Sequence, residues 1–529
     1  MAIAALTLGA ALLTVRVFPA KKVLGLIGGT GVLVLLGALP AWVPSQMHLG
    51  LFREVSPVLD HTYDGPKAFY SQVHASQILF STDDPIMSVS VHSAGPSRRA
   101  IYNNGKSDSE IPGDNSTTVM LVLLPALFAD EPKEAFIIGY GTGMSVGTLA
   151  SLPSLERVVV AEISPGIMEA APYFDGLNGD VTHNPKVEVM RSDAYRALLR
   201  SNETFDVIMS EPPNPWVTGV EMLYSQEFLT AARSRLNAQG VYAQWMHVYE
   251  TDDATLELVM RTYLEVFERV SIWFVDINDY VILGFNDPAE EVPWEKIHTQ
   301  FEEPAMREAF DSIGIHALPT LLAHERVPTY TLQHANLSGP IHTIEHPRIS
   351  DLAARAFYTH GRGKFPFPLS REAVQAGQQH SSLNNYLKWR QAELTEEEWS
   401  NMANEICQST PHRCAGVFTR WHKAHPNSQV LQAKLRSIED NTAEGGSPRE
   451  MIEIILALHE PDKIKGQDLS YKGTRAIQAL YTRHFDYSAP FDSSILENAW
   501  SACSGDERCA EGLEAVRRTG GTSEPSTGN

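Results

Sequence analysis

The stretch that most constrains how this chain can fold is residues 135–144, AFIIGYGTGM. Residues 135–138 are apolar and read as a buried parallel strand, and Gly139, Gly141 and Gly143 follow in a turn that can open a helix. Glycines at such a turn let the backbone approach a ligand closely. The helix start adds unpaired N–H groups, which suits a nucleoside with a polar tail. The same turn also occurs without any ligand, so its neighbours have to decide.

Residues 157–163, RVVVAEI, form a second β-branched run ending near Glu162, about 20 residues past the glycines, where an acid can accept hydrogen bonds from both ribose hydroxyls. A third run, residues 186–190, leads into Arg191-Ser192-Asp193-Ala194, and a fourth, residues 205–210, ends in Glu211-Pro212-Pro213-Asn214-Pro215-Trp216. Ligands of open parallel sheets sit beyond the carboxyl ends of the strands, where all four polar clusters fall. Residues 240–246 and 280–284 read as closing strands around an amphipathic helix over residues 254–267. His247, at one of these strand ends, reads as a structural histidine rather than an acid or base.

Taken in order and spacing, IIGYGTGM, VVVAEIS, RSDAYRALL, FDVIMSEPPNPW and QGVYAQWMHVYE resemble the spermidine synthase family, and more closely its membrane-fused bacterial branch, over about residues 41–358. The resemblance implies a class I methyltransferase-like (Rossmann-like) α/β fold with a mostly parallel sheet. It implies decarboxylated S-adenosylmethionine or S-adenosylmethionine as donor, no metal, and a small amine such as putrescine as acceptor, with a homodimer as the assembly. Carried over residue by residue, Gly139, Gly141, Thr142 and Gly143 cradle the donor, Glu162 holds its ribose, and Asp193 with Ala194 places the adenine. Glu211 orients and deprotonates the amine with help from Asn214, and Asp114, Trp216, Gln244 and Tyr249 contact the substrate.

The chain departs from the family pattern at several of these positions. Thr117 and Thr118 stand where a Tyr-His pair contacts the polyamine in the family, and Thr142 replaces the acid that grips the donor's amino group. A hydroxyl can hydrogen-bond an ammonium without neutralising it. Glu211 and Asn214 replace two aspartates, and Ile344 and Glu345 replace two acids in the segment 339–347. Methyl transfer from S-adenosylmethionine, and a non-catalytic membrane sensor of nucleosides or polyamines, are the alternatives.

Residues 23–43 are uncharged and mostly apolar, long enough at about 1.5 Å per residue to cross roughly 30 Å of hydrocarbon. With the shorter apolar run 2–15 they read as a transmembrane hairpin over residues 1–45, in a bacterial inner membrane, with the side of the catalytic domain left open. A small β-domain is expected over 46–115, the nucleoside-binding domain over 116–360, a helical region over 361–519 and a disordered tail over 520–529. The helical region reads either as a repeat-like interaction module or as a cover packed on the catalytic domain. Cys407 with Cys414 and Cys503 with Cys509 read either as two local disulfides or as ordinary thiols. A net charge of −22 argues against nucleic acid, whose phosphates it would repel, and suits cationic partners.

Overall fold

The computed structural model describes Gly65 and residues 77–437, apart from 130, 277, 289–291, 364–368, 370–372, 374–376, 378 and 410–413. The transmembrane hairpin read over 1–45, the end of the helical region beyond residue 437, the tail and all four cysteine side chains lie outside the described residues. Among the described residues no helix is long and apolar enough to cross a membrane.

The first described element is a four-stranded antiparallel sheet of β1 (Gln77–Asp83), β2 (Ser88–Ser93), β3 (Arg99–Asn103) and β4 (Lys106–Ile111), paired in chain order. Asp83-Asp84-Pro85 and Gly95-Pro96 punctuate the first two turns, as expected where strand residues give way to turn formers. Helix α1 (Asn115–Phe128) follows, buried along nearly its whole length from Thr117 to Leu127. A helix that is apolar on every side belongs inside, and α1 packs between the second sheet and the helix after the glycine turn.

The second sheet holds eight strands in the order β12-β10-β11-β9-β8-β5-β6-β7. Its parallel part comprises β5 (Glu134–Ile138), β6 (Arg157–Glu162), β7 (Val187–Arg191), β8 (Phe205–Ser210) and the start of β9 (Leu236–His247). Helices α2 (Met144–Ser151), α3 (Pro165–Ala170), α4 (Ala194–Arg200) and α5 (Gln226–Ser234) connect these strands. After α6 (Asp253–Val266), β10 (Arg269–Phe274) and β11 (Asp279–Phe285) close the sheet, with β11 inserted antiparallel between β9 and β10 and β12 (Glu325–Val327) at the edge. β5 and β6 read as uninterrupted apolar runs because both faces are covered by helices. The chain leaves β5 toward β6 on one side, and β8 lies on the other. Such a switch point opens a crevice at the strand ends.

The later helices Ser382–Arg390, Glu396–Ser409, Cys414–Ala424 and Gln429–Ser437 pack together and onto Leu318–Leu322. Their buried Leu383, Trp399, Phe418 and Trp421 join the same apolar core as Leu321 and Leu322, which makes them a cover continuous with the α/β domain. Thr395 and Glu398 bond reciprocally, with Thr395 N–H donating to Glu398 Oε2 at 2.7 Å and Glu398 N–H donating to Thr395 Oγ1 at 3.2 Å, which is a capping box. The segment 339–347 is anchored by buried His342. Its Nδ1 accepts from Ile349 N–H at 3.2 Å, so Nε2 carries the proton and donates to the Glu221 carbonyl at 2.8 Å.

Candidate active site

A cavity of about 600 Å³ opens beyond the carboxyl ends of β5, β6 and β8 and is walled on its outer side by the small sheet. Gly139 at φ 89° and Gly143 at φ 76° occupy left-handed backbone that only glycine adopts at no steric cost. A Cβ on Gly139 or Gly141 would meet nothing within 4 Å of protein, whereas one on Gly143 would lie 2.7 Å from Asn178 Nδ2. The turn is thus open toward the cavity and tightly backed behind it. Asn178 Nδ2 also donates to the Thr142 carbonyl at 3.0 Å, and Thr142 Oγ1 lies 3.3 Å from Ser109 Oγ of β4.

Glu162 closes β6 as a buried wall of the cavity. Its Oε2 accepts from Tyr140 N–H at 2.9 Å and its Oε1 from Ser164 N–H at 2.7 Å. Burial raises its pKa and the backbone donors oppose that rise. Each oxygen keeps lone-pair capacity for a second donor, which is what two ribose hydroxyls require. Asp193 caps α4 by accepting from Arg196 N–H at 2.9 Å, and it lines the cavity together with Ser192 and Ala194.

The wall beyond β8 and β11 is rich in acids. Glu211, after β8, accepts a hydrogen bond from Ser145 Oγ at 3.0 Å, and burial pushes its pKa up to about 7, with the Asp114, Asp279 and Asp108 carboxylates raising it further. Asp279, at the start of β11, accepts from Trp245 Nε1 at 3.1 Å and from Thr117 Oγ1 at 3.1 Å. Burial, with Asp276 adding like charge, pushes its pKa up to about 7 as well. Asp114 accepts from Glu110 N–H at 2.6 Å, and burial again holds its pKa above the usual range. Lys106 is the one basic side chain among the described residues that line the cavity, and it is already paired with Asp108. Among the described residues no group of three or more His, Cys, Asp or Glu side chains could hold a metal ion.

Residues 115–286 match the family described as the spermine/spermidine synthase domain. The chain is similar to the polyamine aminopropyltransferase of Corynebacterium efficiens, 30% identical over 187 residues that make up 34% of this chain and 35% of that protein. It is similar to that of Thermococcus kodakarensis, 23% identical over 230 residues, 42% of this chain and 77% of that protein. Against polyamine aminopropyltransferase 2 of Pseudomonas aeruginosa it is 27% identical over 172 residues, 32% of this chain and 49% of that protein. The chain thus spans between about a third and three quarters of these relatives. Among solved structures, a spermidine synthase in complex with the transition-state analogue AdoDATO aligns with a TM-score of 0.39 at 20% identity, covering 46% of this chain and 86% of that one.

Of the residues expected at the site, Gly139, Gly141, Thr142, Glu162, Asp193, Ala194, Glu211, Asp114 and Tyr249 all reach the cavity wall, while Gly143 backs the turn as the N-cap of α2. Three residues expected at the substrate do not line it. Gln244 is fully buried on the opposite face of β9, where its Oε1 accepts from Tyr242 Oη at 3.0 Å and from Tyr263 Oη. Successive strand residues face opposite ways, and the cavity takes Trp245 instead. Trp216 packs on Phe357 with ring centroids 4.4 Å apart, so the indole buttresses the segment while Thr218, Gly219 and Val220 face the cavity. Asn214 is fully buried behind Tyr249, donating to its hydroxyl at 3.3 Å, and therefore acts on the site through that tyrosine. His247 is buried between the rings of Trp245 and Tyr249, at 5.1 and 4.6 Å.

Asp279, Asp108, Trp245, Ser145 and Ser109 were not singled out from the sequence. Asp279 follows no glycine turn and belongs to an antiparallel strand, so no strand-end rule selects it. Its register opposite His247, at the cavity end of β9, is the signal that identifies it.

Proposed function

We propose that the synthase domain transfers an aminopropyl group from a decarboxylated S-adenosylmethionine-type donor to a small amine. The observation that carries this reading is the acid-lined cavity around Glu211, in which the one cationic side chain among the described lining residues, Lys106, is already paired. Buried carboxylates without counter-ions are costly, and a sulfonium and an ammonium would relieve that cost. The lining also bears on the donor. Unmodified S-adenosylmethionine brings a carboxylate into a wall of acids where, among the described residues, no unpaired lysine or arginine lines the cavity to receive it, so the decarboxylated form and aminopropyl transfer are favoured over methyl transfer. The polyamine aminopropyltransferases named above support the same reaction class.

The chemistry follows from the groups present. Glu211, with its pKa near 7, takes a proton from the ammonium of the acceptor and frees its lone pair. The amine attacks the methylene carbon bonded to the sulfonium; the C–S bond breaks, its electron pair stays on sulfur, and a neutral thioether nucleoside leaves. Asp114, Asp108 and Asp279 stabilise the cationic reactants, and the glycine turn and Glu162 hold the nucleoside so that the carbon faces the amine. Incubating purified protein with decarboxylated S-adenosylmethionine and putrescine should release methylthioadenosine and spermidine in equal amounts. Release of neither, from folded protein that binds the donor, would leave the sensor reading in its place.

The uncharged stretch 23–43 supports a membrane anchor, in a bacterial inner membrane, for this domain. Carbonate extraction of native membranes tests it: the protein should stay with the pellet, and its release would end the anchor reading. The homodimer implied by the resemblance is tested by sedimentation equilibrium.

A further inference from the structure

The small β-sheet does more than wall the cavity. Asp84, in the turn between β1 and β2, binds in two directions. Its Oδ1 accepts from Ile86 N–H at 2.6 Å and Met87 N–H at 2.8 Å, which shapes the hairpin tip, and both of those residues line the cavity. Its Oδ2 reaches into the other sheet's layer, accepting from Gly166 N–H at 2.9 Å and from the Ser164 hydroxyl. Ser164, fully buried, in turn donates its N–H to Glu162 Oε1 at 2.7 Å. The docking is close. A Cβ on Gly166 would lie 2.9 Å from Thr82 Cγ2, 3.0 Å from Asp84 Oδ2 and 3.0 Å from Val89 Cγ2, so a side chain there would push the hairpin off α3.

We propose that Asp84 is a positioning residue for the donor, fixing the Glu162 carboxylate through Ser164 while holding the Ile86–Met87 tip over the nucleoside end of the cavity. The proposal rests on the nucleoside reading given above. Ser164 already caps α3 by accepting from Ile167 N–H at 3.1 Å, and that cap does not need a carboxylate arriving from the other domain. What the carboxylate adds is a fixed orientation for the serine. With the hydroxyl held by Asp84 and the N–H held by Glu162, the acid that faces the ribose is tied from the Ser164 side as firmly as Tyr140 N–H ties it from the glycine turn. Burial works against the charge on Asp84, but the hydrogen bonds from Ser164, Met87, Gly166 and Ile86 outweigh it and leave its pKa below the usual value, so the clamp is ionised at neutral pH.

The test is titration calorimetry of the full chain with methylthioadenosine and with its 2′,3′-dideoxy analogue, for wild type, Asp84→Asn and Ser164→Ala. The expected result is a loss of about tenfold in affinity for methylthioadenosine in both variants, the scale of one charge-assisted hydrogen bond, and little loss for the dideoxy analogue. That ligand dependence is what a purely structural role would not produce. An equal loss for both ligands, or no loss for either, overturns the proposal. Ser164→Ala keeps the test open should Asp84→Asn not fold, since it removes one hydroxyl without adding a buried group. Wild type that binds neither ligand would refute the nucleoside reading itself, and the proposal with it, whereas wild type that binds methylthioadenosine more tightly than the analogue upholds that reading whatever the variants do.

Discussion

Ser145 in the first turn of α2 donates a hydrogen bond of 3.0 Å to Glu211 just after β8, joining the helix that follows the glycine turn to an acid on the opposite wall of the cavity. Under the proposed reaction that bond ties the donor half of the site to the acceptor half. It also favours the ionised carboxylate, opposing the burial that raises its pKa.

Glu211→Gln is expected to lower kcat by about 100- to 10,000-fold, the range a general base contributes, with donor affinity nearly unchanged. Single-turnover rates and donor calorimetry on the same preparation check both halves. A variant that transfers as fast as wild type would remove Glu211 from the mechanism.

The pH profile follows from the same group. A base with a pKa of about 7 is active when deprotonated, so kcat/KM should rise with pH through about 7 and level off above it. Bound cations favour the ionised form, so the inflection in kcat should lie below the one in kcat/KM.

Stability should run the other way. Glu211, Asp279 and Glu325 carry pKa values raised to about 7 in the folded protein, chiefly by burial. Between the unfolded carboxylate pKa and 7 the native state then binds more protons than the unfolded state, so unliganded stability falls as pH rises across that window. Urea unfolding at pH 5 and pH 8 measures it, and the stabilisation given by a cationic ligand should be larger at pH 8.

Asp279→Asn keeps the shape that Trp245 and Thr117 bind but removes the charge. The expected effect is about a tenfold rise in KM for putrescine with a smaller change in kcat, measured by initial rates. A reduced preference for putrescine over a monoamine of equal length should accompany it.

Gly147 lies in α2 where a Cβ would fall 2.0 Å from the Asn178 carbonyl oxygen, a backbone atom that cannot step aside. Gly147→Ala should cost about 1–3 kcal/mol of stability in denaturant unfolding. Because Asn178 also holds the Thr142 carbonyl, nucleoside affinity should fall together with stability.

Much of the fold could be read from local pattern. The apolar runs at β5, β6 and β8, the glycines after β5 and the acids that end β6 and β8 are features of neighbouring residues, and neighbouring residues decide whether a segment is a buried strand, a tight turn or a helix start. The capping box at Thr395 and Glu398 belongs to the same class. Gln244 marks where this kind of reading stops: that β9 is a strand was legible, but which of its faces meets the cavity was not, and a shift of one residue exchanges Gln244 for Trp245.

By itself, then, the sequence determined the α/β order of this protein and the strand ends at which its ligand chemistry gathers, because periodicity and turn chemistry act over a few residues. Only the tertiary structure decided that Thr117, Trp245 and Asp279 meet, that Trp216 turns to Phe357, and that Asp84 reaches Ser164 from a separate sheet. Those contacts join residues from 34 to 162 positions apart and are fixed by how strands and layers pack rather than by any neighbouring residue.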